Sequence, residues 1–600
     1  MSVLESIKLS SDIKNLGVDQ LNILADEVRE KILDVISKNG GHLSSNLGIV
    51  ETTIALYHVF DFPNDKLIFD VGHQCYAHKI LSDRKDSFCS IRKDDGLSGF
   101  PSVEESEYDA FGTGHAGTSV SAGLGYCVAR DKLGDNYTVI NVVGDASIVN
   151  GLNQEAVTMS TQKPKNYLVI LNDNGMSISK NINGFYRYLS KKTTKRGYRG
   201  SKRALKKIFG QSFITRGLAK FRDFVKRVIN GDNYFENHGF KYVGVLDGND
   251  MKELVTQLKR VKELLKEKAV FLHIKTTKGK GYEQAEEHAD VYHGVGKDLK
   301  TDGGDFAKVL GEKLNQMIDV DPTIVAITAG MKAGTGLLAV EEKHSQNFYD
   351  VGIAEDFAVV NASGMALGGL KPVVAVYSTF LQRAYDQILH DVCIQKLPVV
   401  FCLDRAGVVG GDGKTHQGVF DLSYLTHLPN MTVLAPCCTN ELRLALDYAF
   451  SLKSPVAIRY PKNTVCERQP LGYEESLWET IKEGSDVYIL AVGPKMLEIA
   501  EKCAENDKSI GVINARCVKP LCENTLDRIS DKLIITLEEN SVIGGFGSLV
   551  SGYYRQKGAF ARVYNLGIKD SFVEHGSTDE QLKKNGLSVE GVERIISANR

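Results

Sequence analysis

Two apolar, β-branched runs, TVINVVGD (138–145) and YLVILNDN (167–174), constrain this chain more than any other feature. Runs of this length and composition read as buried strands. GLNQEAVTMSTQ between them has the length and composition of a crossover helix. Strand, helix and strand in that order give parallel neighbours, whose carboxyl ends open on the crevice where α/β sheets bind ligands. Both runs end in side-chain oxygens, Asp145 on one and Asn172-Asp173-Asn174 on the other.

The same rhythm returns with PTIVAITAG, PVVAVYS, LPVVFCLDRAG and SPVAIRYP, then with DVYILAVG, SIGVINARCV, KLIITLEEN and ARVYNLGI. A length of 600 residues exceeds what one core serves. The expectation is an α/β fold of three domains with mainly parallel sheets, at 1–300, 301–468 and 469–600, with joins near 295–305 and 463–480. Hydrophobic and charged shares of 42% and 25% are those of a globular protein. Lys+Arg 73 against Asp+Glu 75 leaves a formal charge of -2, which argues against nucleic acid or an acidic membrane as partner of the whole chain. The opening MSVLESIKLSSDIKNL lacks a basic n-region before an apolar run, and no apolar stretch is long enough to span a bilayer. The 11 cysteines are odd in number and scattered, so reduced thiols and a cytoplasmic location are expected.

One segment stands apart. Residues 187–227 hold fifteen Lys or Arg and one acid, Asp223. It reads either as a solvated surface insertion or as an electropositive flap that draws in anionic substrates.

Asp145 and Asn174 are 29 residues apart, as one strand-helix-strand unit requires. A carboxylate and an amide oxygen at one crevice suit Mg²⁺, which completes its octahedron with phosphate oxygens and water. Alone, the pair proves little, since Asp and Asn at strand ends are usually turn or cap residues.

The surrounding text is more specific. GDASIVNG followed by LNDNGMSIS looks like the diphosphate-binding motif of thiamine-dependent enzymes. GGHLSSNLG (40–48), DVGHQCYAHKIL (70–81), GLSGFPSVEESEYDAFGTGHAGTS (96–119), GIAEDFAV (352–359), YSTFLQRAYDQILHDVCIQKLPV (377–399) and DRAGVVGGDGKTHQGVFDLSYL (404–425) resemble the 1-deoxy-D-xylulose-5-phosphate synthase family. The resemblance runs in order from about residue 10 to the C-terminus. It implies three transketolase-like domains, thiamine diphosphate and Mg²⁺ as cofactors, and a homodimer. The implied reaction is decarboxylative condensation of pyruvate with D-glyceraldehyde 3-phosphate.

By the same resemblance, Glu355 bonds the cofactor's pyrimidine ring and drives removal of the thiazolium C2 proton. His42, His73, His293 and His416 move or stabilise protons. His73, Gly114, His115, Ala116, Ala146, Ser147 and Tyr282 contact the cofactor, and Asp145, Asn174 and Met176 hold the metal. The acceptor pocket comprises Tyr377, Arg383, Arg405, Asp412, His416 and Arg459. Arg405 and Arg459 directly follow predicted strands, where a planar fork suits bidentate phosphate binding. A salt bridge at a domain interface is the other reading of each. His78, in DVGHQCYAHKIL, joins the histidines less clearly.

Three departures from the family pattern bear on rate and substrate choice. Ala146 stands where a Gly is expected, and its methyl costs on the order of 1 kcal/mol if that backbone needs positive φ. Asp356-Phe357 replaces Gln-His beside Glu355, adding a carboxylate that raises a nearby acid's pKa. Ala116-Gly117 replaces two serines. The alternatives are therefore a related transketolase-like carboligase with another donor or acceptor, and a cofactor-binding paralogue with little turnover.

Overall fold

A computed structural model describes residues 2–160, 164–175, 234–299, 304–463 and 467–599. Met176, the basic segment 187–227 and parts of both predicted joins lie outside the described residues. The chain divides into two compact units, Met1–Ile91 with Phe100–Lys300, and Arg92–Gly99 with Thr301–Arg600.

The first unit contains strands β1 (Gly41–His42), β2 (Lys66–Phe69), β3 (Val139–Gly144), β4 (Tyr167–Asp173), β5 (Lys241–Asp247), β6 (Val270–Lys275) and β7 (Gly294–Val295). Five of them form a parallel sheet in the order β2-β3-β4-β6-β5, while β1 and β7 pair antiparallel by themselves. Almost every residue of β3 and β4 is buried, the mark of parallel strands covered on both faces. Helices α1 (Ser119–Leu133) and α2 (Gly151–Met159) bring Val120 and Val157 to the core that Val143, Tyr167, Val169 and Leu171 build. The Asn150 side chain caps α2 by accepting from the Leu152 N–H at 3.2 Å.

The second unit holds β8 (Ile324–Thr328), β9 (Phe348–Asp350), β10 (Lys371–Tyr377), β11 (Val400–Asp404), β12 (Thr432–Leu434), β13 (Val456–Arg459), β14 (Glu479–Lys482), β15 (Val487–Val492), β16 (Ile510–Asn514), β17 (Cys517–Lys519), β18 (Leu533–Ser541) and β19 (Arg562–Ile568). They form a seven-stranded sheet, β17-β12-β13-β11-β10-β8-β9, and a five-stranded sheet, β14-β16-β15-β18-β19. Only the edge strands β17 and β14 run antiparallel. The expected fold class of α/β layers with mainly parallel sheets is what these sheets form. Strand β17 comes from the last third of the chain yet extends the preceding sheet. Next to it, buried Arg516 pairs with buried Glu441 at 3.1 Å and donates to the carbonyls of Leu471, Gly472 and Ser476. Helix α3 (Glu355–Leu367) follows β9.

Candidate active site

In the first unit, the register pairs Phe69 with Val142 and Gly144 with Asn172. The residues that follow β2, β3 and β4 therefore emerge at one sheet edge: Asp70, Asp145 and Asn174. Asp145 is buried, and its carboxylate accepts the Ala146 and Gly175 N–H groups, each at 2.9 Å. Burial, and then the charge of Asp173, push its pKa up to about 7. Asp173 accepts from the Gly175 N–H at 3.2 Å and bonds His273 Nε2 at 2.9 Å, while Tyr242 bonds the other nitrogen of that ring at 2.8 Å. Lys278, just beyond β6, is buried, and burial lowers its pKa to about 8 against the opposing pull of Asp145 and Asp290.

Two of the sequence departures are resolved locally. Ala146 is not among the described non-glycine residues with positive φ, so the expected methyl cost does not arise. Gly117 has φ +91°, and a Cβ there would stand 2.2 Å from Asn150 Oδ1. That loop requires glycine at 117. Gly114 and Ala116 are buried in the same loop and His115 is half-buried. Ser147 turns its hydroxyl to Asp70.

The short β1–β7 ladder pairs His42 with Gly294 and so brings His42 beside His293. Ring centroids are 5.6 Å apart for His42–His293, 5.2 Å for His73–His293 and 5.8 Å for His42–His73. Asn46 holds this cluster. Its amide nitrogen donates to the His42 and His73 carbonyls, both at 2.7 Å, and its oxygen accepts the Tyr76 N–H at 2.8 Å. Burial, followed by Lys278 and the neighbouring imidazoles, holds the His293 pKa well below its ordinary value, so this ring is neutral at pH 7. His78 is elsewhere: buried, and bonded to Asp109 at 3.0 Å and Tyr57 at 2.9 Å. Tyr282 bonds Gln284 at 2.7 Å and packs edge-on against Tyr292.

In the second unit, Glu355 opens α3 and is 4% exposed. Its Oε2 has no hydrogen-bond partner and lies 4.0 Å from Arg383 Nη1. Burial raises its pKa to about 7 against the pull of Arg383, with Asp356 a lesser upward cause. The other predicted residues cluster at strand ends. Tyr377 closes β10, Arg405 follows β11 and Arg459 closes β13, three adjacent strands. Arg405 pairs with buried Asp404 at 2.8 Å and lies 5.0 Å above the Tyr377 ring. Arg92, from a segment that belongs with this unit, donates to Asp412. His416 bonds Thr415 at 2.8 Å and meets the Phe380 ring edge-on, and burial lowers its pKa.

Arg459 already has partners, as the salt-bridge reading of the sequence expected. It is buried, pairs with Asp421 at 3.0 Å, and donates to the carbonyls of Gly418 and Glu539 at 3.3 and 3.2 Å. A phosphate here would have to share or displace those bonds.

Sequence reasoning passed over Asn46, Asp70, Gln74, Arg92, Thr113 and Lys278. Lys278 lies among closely spaced glycines in TTKGKGYE, and Asp70 and Gln74 flank VGH, so those three had a local signal. Arg92 had none, because its partner is 320 residues away.

The first unit's donor set fits an anionic, oxygen-rich ligand with a divalent cation. Gln74 Nε2 and Thr113 Oγ1 are buried donors without hydrogen-bond partners. Two buried carboxylates at neighbouring strand ends, Asp145 and Asp173, call for positive charge. Among the described residues no cluster of three or more His, Cys, Asp or Glu could hold a metal unaided. A metal on Asp145 and Asn174 would take its remaining oxygens from its ligand and water. The ten described cysteines are free, and among the described residues no helix is long and apolar enough to cross a membrane.

Comparison with known proteins adds to this geometry. The family described as 1-deoxy-D-xylulose-5-phosphate synthase matches residues 4–276. The transketolase pyrimidine-binding and C-terminal domains match 303–467 and 476–592. The 1-deoxy-D-xylulose-5-phosphate synthase of Clostridium tetani is 46% identical over 99% of this chain and 98% of its own. That of Carboxydothermus hydrogenoformans is 45% identical, over 98% and 97%. Among solved structures, a Campylobacter jejuni transketolase aligns at 18% identity over 97% of this chain and 100% of that one, with a TM-score of 0.43.

Proposed function

The chain belongs to the 1-deoxy-D-xylulose-5-phosphate synthase family, and on that premise we propose that it joins pyruvate to D-glyceraldehyde 3-phosphate, releasing CO₂ and forming 1-deoxy-D-xylulose 5-phosphate. Thiamine diphosphate, when bound, supplies the electron sink for that decarboxylation. The observation that carries the reading is Glu355: a buried carboxyl, nearly without partners, whose pKa near neutrality lets it share a proton with a ring nitrogen.

The rest of the chain's work follows from placement and charge. Asp145 and Asn174 would hold Mg²⁺ at the diphosphate, and the family resemblance adds Met176 to that set. Lys278 and the donors Gln74 and Thr113 add positive charge and hydrogen bonds there. Condensation of a carboxylate with an aldehyde to a ketol and CO₂ takes up one proton at the new hydroxyl. Neutral His293, with His42 and His73 beside it, can accept a proton at the reacting groups and then return it. His73, Gly114, His115, Ala116, Ala146, Ser147 and Tyr282 line the cofactor. Tyr377, Arg383, Arg405, Asp412, His416 and Arg459 form the acceptor pocket, where arginine charge favours the phosphorylated aldehyde.

The proposed working form is a cytoplasmic homodimer. Phe357, Val360 and Leu367 lie on one face of α3 and are 55%, 46% and 65% exposed, an apolar stripe that a second copy would cover.

The test is to incubate the protein with thiamine diphosphate, Mg²⁺, pyruvate and glyceraldehyde 3-phosphate, then assay CO₂ and a five-carbon ketose phosphate. Product from this pair, and none from ketose-phosphate donors, supports the proposal. Product only with another pair identifies a related carboligase. Cofactor binding without turnover on any pair identifies a non-catalytic paralogue.

A further inference from the structure

Asp70 follows β2 directly, is 0% exposed, and forms no ion pair among the described residues. A buried carboxylate without a cation is costly unless hydrogen bonds satisfy both oxygens. Here they do. Oδ1 accepts the Gly117 N–H at 2.9 Å and the Ser147 hydroxyl. Oδ2 accepts the Ser119 N–H at 3.1 Å, the Ser119 hydroxyl at 2.7 Å and Asn153 Nδ2 at 3.3 Å. The Asn153 amide also donates to the Ser147 carbonyl at 2.9 Å.

These donors come from separate stretches: the GTGHAGTS loop with the start of α1, the turn after Asp145, and α2. The backbone leaving Asp70 is itself unusual. Val71 and Gly72 have φ of 62° and 86°, a left-handed pair that is strained at a β-branched residue. That turn delivers His73 and Gln74. A Cβ on Gly72 would stand 2.3 Å from Thr113 Oγ1, so the turn and the glycine loop touch.

We propose that Asp70 is a positioning residue for the cofactor's diphosphate. By drawing five donors onto one carboxylate it holds three loops in a single arrangement, those carrying His73-Gln74, Thr113–Gly117 and Asp145–Ser147. An acceptor-only group is needed, because an amide in its place would turn an N–H toward N–H and O–H donors. The inference rests on the diphosphate site proposed above.

The test compares wild type with Asp70→Asn and Ser119→Ala. It measures titration of thiamine diphosphate with Mg²⁺ and of inorganic pyrophosphate with Mg²⁺, thermal unfolding of the cofactor-free protein, and kcat at saturating cofactor. Asp70→Asn should weaken both ligands by about 10–100-fold, the range for partners that orient ligating groups. Saturating cofactor should restore most of kcat. Ser119→Ala, which removes one donor of five, should weaken both ligands several-fold without lowering the unfolding temperature. Unchanged affinities in the folded Asp70→Asn protein overturn the inference. If that variant does not fold, unchanged affinities in Ser119→Ala do so. Weaker binding in step with a lower unfolding temperature in both variants reduces Asp70 to a structural role and also overturns it. A wild type that binds neither ligand overturns the diphosphate site itself, and with it this inference.

Discussion

The candidate edges of the two units treat a buried carboxylate in opposite ways. In the first unit, Asp70 accepts five hydrogen bonds and Asp145 takes two backbone N–H groups. In the second, Glu355 Oε2 accepts none and has Arg383 only at 4.0 Å. Saturated carboxylates fix loops, because any movement breaks several bonds at once. A starved one keeps an oxygen free of partners, through which a proton can be given to a ligand and regained. Under the proposed function, the first edge holds a ligand and the second exchanges a proton with one. A third carboxylate lies between these extremes: Asp421, 0% exposed at its side chain, is neutralised by Arg459.

Glu355→Gln breaks the comparison most directly. Gln fills the same space but cannot exchange a proton. C2 proton exchange of the bound cofactor, followed by NMR in deuterated buffer, should fall by roughly 10²–10⁴-fold, the usual worth of a positioned acid or base. Cofactor affinity should stay within a few-fold. Unchanged exchange removes Glu355 from its assigned role.

Arg459→Ala tests the intermediate case. Removing the cation leaves Asp421 buried and uncompensated, a loss of about 3–5 kcal/mol of stability. Denaturant unfolding should show it whatever the substrate. Burial already raises the pKa of Asp404, the partner of Arg405, to about 7, so loss of the cation can be met by protonation. Arg405→Ala should therefore cost less stability and instead raise KM for the phosphorylated aldehyde over an unphosphorylated one. Equal stability losses at both positions would erase the distinction.

The pH dependence of stability sharpens the comparison further. The folded-state pKa of Glu355, about 7, exceeds its ordinary value of 4.5. Between those values the unfolded chain has released a proton that the folded chain keeps, so stability falls as pH rises through this window. The cost is fully present above about 7 and absent below 4.5. It amounts to at most roughly 3 kcal/mol at 1.36 kcal/mol per unit. Glu355→Gln lacks this penalty, so in the cofactor-free protein its melting-temperature advantage should grow from pH 5 to pH 8. An advantage that stays constant across that range would mean the carboxyl is not destabilised by burial.

What could be read from the sequence, and what could not, follows the same division. Strands β3 and β4 announce themselves as long β-branched runs, and their polar ends gave Asp145 and Asn174 directly. The edge strand β5, KYVGVLD, carries an interior Gly and mostly half-buried residues, so no apolar run marks it. Glu355 is singled out by its motif, but nothing in GIAEDFAV says that it is starved of hydrogen bonds. That property depends on what packs against it from distant elements. Asp70 and Asn46 act through hydrogen bonds to backbone and small side chains up to 83 residues away. Pairings of this kind have no local period, so a pattern search passes over them.

The smallest effect concerns the other side of the helix that Glu355 opens. Helix α3 buries Glu355, Ala358, Val359, Ala362 and Ser363 and leaves Phe357, Val360 and Leu367 exposed, so it is apolar nearly all round. A helix of that kind is normally covered on both faces. Phe357 already buries part of its ring in the single chain, so covering the remainder is worth about 1 kcal/mol per protomer. In a symmetric dimer the side chain counts twice, and Phe357→Ala should raise the dimer dissociation constant tenfold or more, at about 1.4 kcal/mol per decade. Sedimentation velocity across a dilution series reads this shift. A wild type that stays monomeric at micromolar concentration would leave the stripe without the second copy proposed for it. A dimer unmoved by Phe357→Ala would place the interface on another face.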